Sequence, residues 1–138
     1  MTNIYTYAHK AKELGINIRE LCDNAAIDEN ADFEVDNYRF IKENSIDKIQ
    51  QDELSSDEYT LGCFNAWFLA DVLNIDIDVI EAMQKSEAYD VIGELVLSMG
   101  KLDELQKAYA SADGYGHYFS SYDFSEDQVG DYYLFRTA

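Results

Sequence analysis

Proline is absent from the chain, and only two of its 138 residues are cysteine. The first absence excludes proline-rich linkers and polyproline recognition segments. The second leaves Cys22 and Cys63, which match neither a CxxC redox pair nor a zinc-ligand spacing, so reduced thiols are expected. Long apolar runs are missing as well. The opening residues, MTNIYTYAHKAKEL, hold no continuous apolar stretch of the signal-peptide kind, and no later run approaches the roughly 20 residues that cross a bilayer. The sequence therefore reads as soluble and cytoplasmic, with no membrane partner. The patterns GxxxxGK[ST], GxGxxG, HExxH and HxE…CxxC do not occur, so neither a cofactor nor a metal is expected. Basic side chains are scarce: 10 Lys and Arg stand against 28 Asp and Glu, a formal net charge of -18. Solubility of a small domain needs a net charge of only about 2 to 8 in magnitude. The excess repels nucleic acid and anionic membrane and attracts a strongly basic protein surface.

Disorder is not the explanation of that charge. With 47% hydrophobic and 14% aromatic residues the chain can fill a core. Its length suits one domain, 1–138, with a helical body over 1–114 and a β-hairpin over 115–138. The fold class expected is α+β, mainly α, a compact helical domain with a central buried helix and a C-terminal β-hairpin. The central helix is expected over Ser56–Leu73, where Leu61, Phe64, Trp67 or Phe68, Leu69, Val72 and Leu73 recur at intervals of three and four. Ser56 is its expected cap, and a buried Trp67 would cost about 3 to 5 kcal/mol on truncation to alanine.

Around it the pattern predicts a first helix over 3–14 with Asn3 as cap and Gly15 as stop, and a second opened by Asn17 with Glu20 three residues later. Helices are expected near 34–43 and 45–54, the latter capped by Ser45. Asp76 opens one running to about Ser86, another spans about Glu87–Ser98 and ends at Gly100, and a last one runs from Leu102 to Asp113-Gly114. At the end the period changes. GHYFSSYD and DYYLFRT, separated by SEDQVG, read as the two strands of a hairpin from about Gly116 to Thr137.

The block YTLGCFNAWFL (Tyr59–Leu69), the segment IEAMQKSEAY and the terminal GYGHYFSSYD with YYLFR resemble an uncharacterised family of small acidic proteins of bacteriophages and other mobile elements. The resemblance covers roughly the second half of the chain and brings no catalytic residues. It implies a viral or mobile-element context, in which small acidic proteins antagonise host CRISPR or restriction defences.

Three groups of residues have side chains suited to chemistry or binding. Asp28, Asn30, Asp32, Glu34 and Asp36 alternate like calcium-loop ligands, but Phe33 stands where the sharp turn requires glycine and Arg39 where the closing glutamate belongs. His117, Ser120, Ser121, Tyr122 and Asp123 are residue types of nucleophilic catalysis, yet no glycine elbow presents either serine. No catalytic residue is expected, and the protein reads as a non-enzyme. The third group is the acidic stretch 23–58, with twelve acidic residues against Arg39, Lys42 and Lys48, a net of -9 in 36 residues. Asp28, Asp32 and Asp36, then Glu43 with Asp47, then Glu53 with Asp57, recur at i, i+4. In a helix such like-charge pairs cost some tenths of a kcal/mol each, and they would stand about 5 to 6 Å apart, able to imitate a row of phosphates. A loop over 28–36 is the alternative.

The partner-binding residues expected are Asp28, Glu29, Asp32, Glu34, Asp36, Glu43, Asp47, Asp52 and Glu53, with Tyr115, Tyr118 and Tyr122 from a tyrosine-rich end. The partner is a basic nucleic-acid-binding protein or host defence complex, and nucleic acid itself is not. The other expectation is an accessory or structural phage protein that assembles through its tyrosine-rich hairpin, with a homodimer contact as one form of it. A hydrolase centred on His117 ranks last.

Overall fold

The computed structural model describes residues 4–138, so the expected cap at Asn3 lies outside the described residues. In chain order the elements are α1 (Ile4–Leu14), α2 (Ile18–Ala25), β1 (Asp32–Val35), β2 (Tyr38–Lys42), α3 (Ile46–Ser55), α4 (Glu58–Gly62) and α5 (Ala66–Leu73). They continue with α6 (Ile77–Lys85), α7 (Tyr89–Ser98), α8 (Leu102–Asp113), α9 (Gly116–Phe119), β3 (Asp127–Val129) and β4 (Tyr132–Arg136). The fold is α+β, mainly α, with a C-terminal β-hairpin. The chain divides into two units, Met1–Ile46 with Asp113–Ala138, and Asp47–Ala112.

The first unit is built on a four-stranded antiparallel sheet in the order β1-β2-β4-β3. Both hairpins turn in two residues, Asp36-Asn37 between Val35 and Tyr38, and Gly130-Asp131 between Val129 and Tyr132. Each opens on a left-handed residue, Asp36 at φ 53° and Gly130 at φ 56°. Aspartate tolerates that conformation, but at Gly130 a Cβ would also strike the Tyr7 ring. Tyr7 and Ala11 of α1, Leu21 and Ala25 of α2, and Val35, Phe40, Val129, Tyr132 and Leu134 of the sheet share one core. Phe33 stacks on Phe40 at 5.1 Å and meets Tyr132 edge-on at 5.2 Å. The Tyr132 hydroxyl donates to the Asn30 carbonyl at 2.6 Å, and burial pushes the phenol up to about 12.

In this unit two elements differ from expectation. The helix expected over 34–43 is the β1–β2 hairpin, because Phe33, Val35, Phe40 and Ile41 find partners across the ladder instead of one turn away. The strand expected over GHYFSSYD is a short helix, α9, followed by a loop; β3 instead begins at Asp127, inside the segment read as the turn.

The second unit is helical. Helices α4 and α7 cross at backbone contact through two glycines: Gly62 lies against Tyr89, and Gly93 against Glu58. The single central helix expected over Ser56–Leu73 is broken into α4 and α5. Asp57 caps the first half, its Oδ1 accepting from the Thr60 N–H at 3.1 Å, in place of the expected Ser56. Asn65 caps the second, its Oδ1 accepting from the Trp67 N–H at 2.9 Å. The carbonyls of Gly62 and Phe64, lost to helical bonding at the break, accept from Gln84 Nε2 at 3.1 and 2.8 Å. Leu61, Leu69, Val72 and Leu73 are buried as expected, but the break turns Trp67 outward, 71% exposed.

Helices α3 and α8 are joined by amides. Gln106 Nε2 donates to Asp47 Oδ1 at 2.9 Å and Gln50 Oε1 at 2.8 Å, while Gln51 Nε2 donates to Gln106 Oε1 and Asp103 Oδ1, both at 2.9 Å. The Gln51 bond, with Lys107 beside it, holds the Asp103 carboxyl below its ordinary value. No helix among the described residues is long and apolar enough to cross a membrane.

Candidate functional site

The stretch 23–58 lies partly in each unit, with Asp28 to Glu43 in the first and Asp47 to Glu53 in the second. Asp28 and Glu29 are exposed in the turn after α2. Asp32 and Glu34 are exposed on edge strand β1, and Asp32 is neutralised by a bidentate clamp on Arg39, at 2.9 and 2.7 Å. The side chain of Asp36 turns back to accept from the Asn17 N–H at 2.9 Å, which ties the β1–β2 turn to the start of α2. Glu43 is exposed just past β2. Asp47 accepts from Gln106, Asp52 pairs with Lys48 at 3.4 Å, and Glu53 is half-buried on α3.

A row of carboxylates at one-turn spacing does not form here. Asp28, Asp32 and Asp36 belong to a turn and a hairpin, and Glu43 with Asp47 and Glu53 with Asp57 each straddle an end of α3. Where this stretch does present i, i+4 neighbours within a helix, as Lys48 and Asp52, they are of opposite sign.

The tyrosines are drawn into packing. Tyr115 lies against Tyr133 at 5.2 Å and Tyr118 against Phe119 at 4.8 Å, both half-buried. Tyr122 is 56% exposed, its ring covered on one side by the Arg136 guanidinium at 3.9 Å. The polar residues of this segment are engaged as well. The buried Ser120 hydroxyl lies within donating distance of Asp123 Oδ1 at 2.8 Å and the Arg136 carbonyl at 2.9 Å, and that of Ser121 donates to the Thr137 carbonyl at 3.0 Å. Hydrogen bonds from Ser125 and Ser120 hold the Asp123 carboxyl below the usual range. His117 stacks on Phe124 at 5.3 Å. Among the described residues no three His, Cys, Asp or Glu converge as metal ligands.

No family model, curated protein or solved structure matches the chain. Its surface must speak for itself.

A second stretch of uncompensated charge lies outside 23–58. From Asp71 to Glu94 seven acidic residues, Asp71, Asp76, Asp78, Glu81, Glu87, Asp90 and Glu94, face a single basic one, Lys85. All seven are exposed, and among the described residues none forms an ion pair. Asp90 and Glu94 on α7 are, among the described residues, the acidic pair that stands at i, i+4 inside one helix. The segment carries a net -6 in 24 residues, the same charge per residue as 23–58. What distinguishes it is support. Asp76 caps α6 through Oδ1, which accepts from the Asp78 N–H at 2.8 Å, left-handed Asn74 closes α5, and the α4–α7 crossing holds the backbone carrying Asp90 and Glu94.

Proposed function

We propose that the protein acts by binding and not by turnover: an acidic phage or mobile-element protein that occupies a basic, nucleic-acid-binding surface of a host defence complex in the host cytoplasm, as an anti-CRISPR or anti-restriction inhibitor. The observation that carries this reading is the set of seven exposed carboxylates between Asp71 and Glu94, none of them in an ion pair among the described residues and with one lysine among them. Fixed charges that already repel one another in the free protein lose that cost when a basic surface meets them. The basic surface gains as it does on DNA, since its Lys and Arg side chains meet a dense negative array. The two units are acidic separately, fourteen acidic against four basic side chains in 47–112 and fourteen against six in the remainder, so the charge is not the work of one tail. The defence-complex context comes from the resemblance of Tyr59–Leu69 and of the terminal segments to phage and mobile-element proteins. Assembly through the tyrosine-rich end has less support, because Tyr115 and Tyr118 are engaged within the chain's own packing.

The test is capture from host lysate at low salt, followed by a high-salt wash, with bound proteins identified by mass spectrometry. The expected outcome is a nuclease, restriction or CRISPR subunit released by salt. The triple reversal Glu81→Lys, Asp90→Lys and Glu94→Lys, all at exposed positions, should leave the fold intact and remove that capture. Capture that survives both salt and the triple variant would refute the proposal.

A further inference from the structure

Trp67 is the chain's one tryptophan, and it is 71% exposed. Its indole has no hydrogen bond or ring contact among the described residues. A side chain of this size is usually buried or held at an interface. It stands at the start of α5, where the Asn65 cap fixes its backbone, and it forms one wall of a surface groove that also takes in Ala70, Asp71, Asn74, Asp76 and Ile77. Asp71 is four residues on from Trp67, hence on the same side of α5. Asp76 commits Oδ1 to capping α6. The groove thus combines an open aromatic wall, apolar Ala70 and Ile77, and two carboxylates, and no basic residue lines it.

We propose that this groove is a receptor for one arginine side chain of a basic protein partner. A guanidinium can stack flat on the indole while its N–H donors turn toward Asp71 and Asp76. A lysine ammonium lacks the planar face, and an apolar side chain would leave two carboxylates facing it without compensation. A second copy of this chain, at -18, is repelled. The inference deepens the acidic-inhibitor reading by naming the anchor that would give register to an otherwise diffuse charge contact, and it rests on that reading only for the identity of the partner.

The test follows the Trp67 indole N–H signal by NMR while the blocked tripeptide Gly-Arg-Gly is titrated into the millimolar range at constant ionic strength. Blocked Gly-Lys-Gly and the neutral Gly-citrulline-Gly are run in parallel. A saturable shift is expected for the arginine peptide, about fivefold weaker in Asp71→Asn and in Asp76→Asn, which is about 1 kcal/mol of ion pairing. Asparagine still caps α6, so the second variant keeps its fold. No saturable shift, an equal response to the citrulline peptide, or indifference to both substitutions overturns the arginine site. Salt-sensitive lysate capture separates the two proposals: if capture persists without peptide binding, only the anchor is wrong; if the peptide binds without capture, the arginine site stands and the partner class is wrong.

Discussion

Gly93→Ala tests the crossing on which the second unit is built. A Cβ at Gly93 would stand 2.7 Å from Glu58 Cα and 2.6 Å from its carbonyl carbon. Non-bonded carbons pack at about 3.5 to 4.0 Å, so α4 and α7 must separate by about 1 Å. The obstacle is backbone, which has no rotamer to change. The Glu58 carbonyl oxygen lies nearer still to that Cβ, so the cost falls at the upper end of the range for overpacking, about 3 kcal/mol, against which alanine returns about 1 kcal/mol of helix propensity at a mid-helix site. A net loss of about 2 kcal/mol is expected, seen by far-UV circular dichroism as a fall in Tm of about 5 to 10 °C. Gly62→Ala meets Tyr89 Cα at 2.7 Å across the same crossing. Once one Cβ has parted the helices the second finds room, so the double variant should cost less than the sum of the two by about 1 kcal/mol. A neutral or stabilising Gly93→Ala, or strict additivity of the pair, would refute the reasoning.

Two further outcomes are expected. Trp67→Ala should change stability by less than about 1 kcal/mol in urea unfolding followed by circular dichroism, because the side chain is 71% exposed; a loss of 3 kcal/mol or more would place it in the core. Lys10 Nζ contacts Asp127 Oδ2 at 2.6 Å and holds that carboxyl below its ordinary 3.8. A carboxyl depressed in the folded state adds stability that is present above the unfolded value and lost as pH falls through the folded one. Asp127→Asn should therefore be less stable than the native protein at pH 7 and match it well below pH 3.8, and a gap of equal size at both would show that the ion pair is not its source.

Local chemistry made much of the helical framework legible. Asn17 and Asp76 cap where their residue types suggest, and Gly15 and Gly100, both left-handed, stop the helices before them. The apolar spacing of the central helix runs through the break and so predicts one continuous helix; the signal against continuity is Asn65, a capping residue in mid-pattern. The 32–42 hairpin is hard to read because Phe33, Val35, Tyr38, Phe40 and Ile41 fit either period; its one local signal is the turn, Asp36-Asn37, whose residues favour turns. No local signal could have shown that β2 pairs with β4. For the candidate surface, the crowding of charges in sequence points to 23–58, but Asp32, Asp36, Asp47 and Asp52 have partners there, and a second stretch of open charge lies where acids are interspersed with core residues of α5 to α7, a pattern that crowding does not reveal.

The sheet order has a consequence for synthesis. Strand β2 ends at Lys42 and its neighbour β4 begins at Tyr132, with the whole second unit encoded between them. At about 5 to 20 residues per second a ribosome needs about 5 to 18 s to make that interval, and meanwhile the β2 edge that β4 will cover stays unpaired. The contiguous 47–112 segment can fold in that time; the first unit cannot. An open edge invites pairing with other chains, and like charge is a common deterrent. Glu34 on β1 and Asp28, Glu29 and Glu43 nearby would make such nascent chains repel one another until β4 arrives.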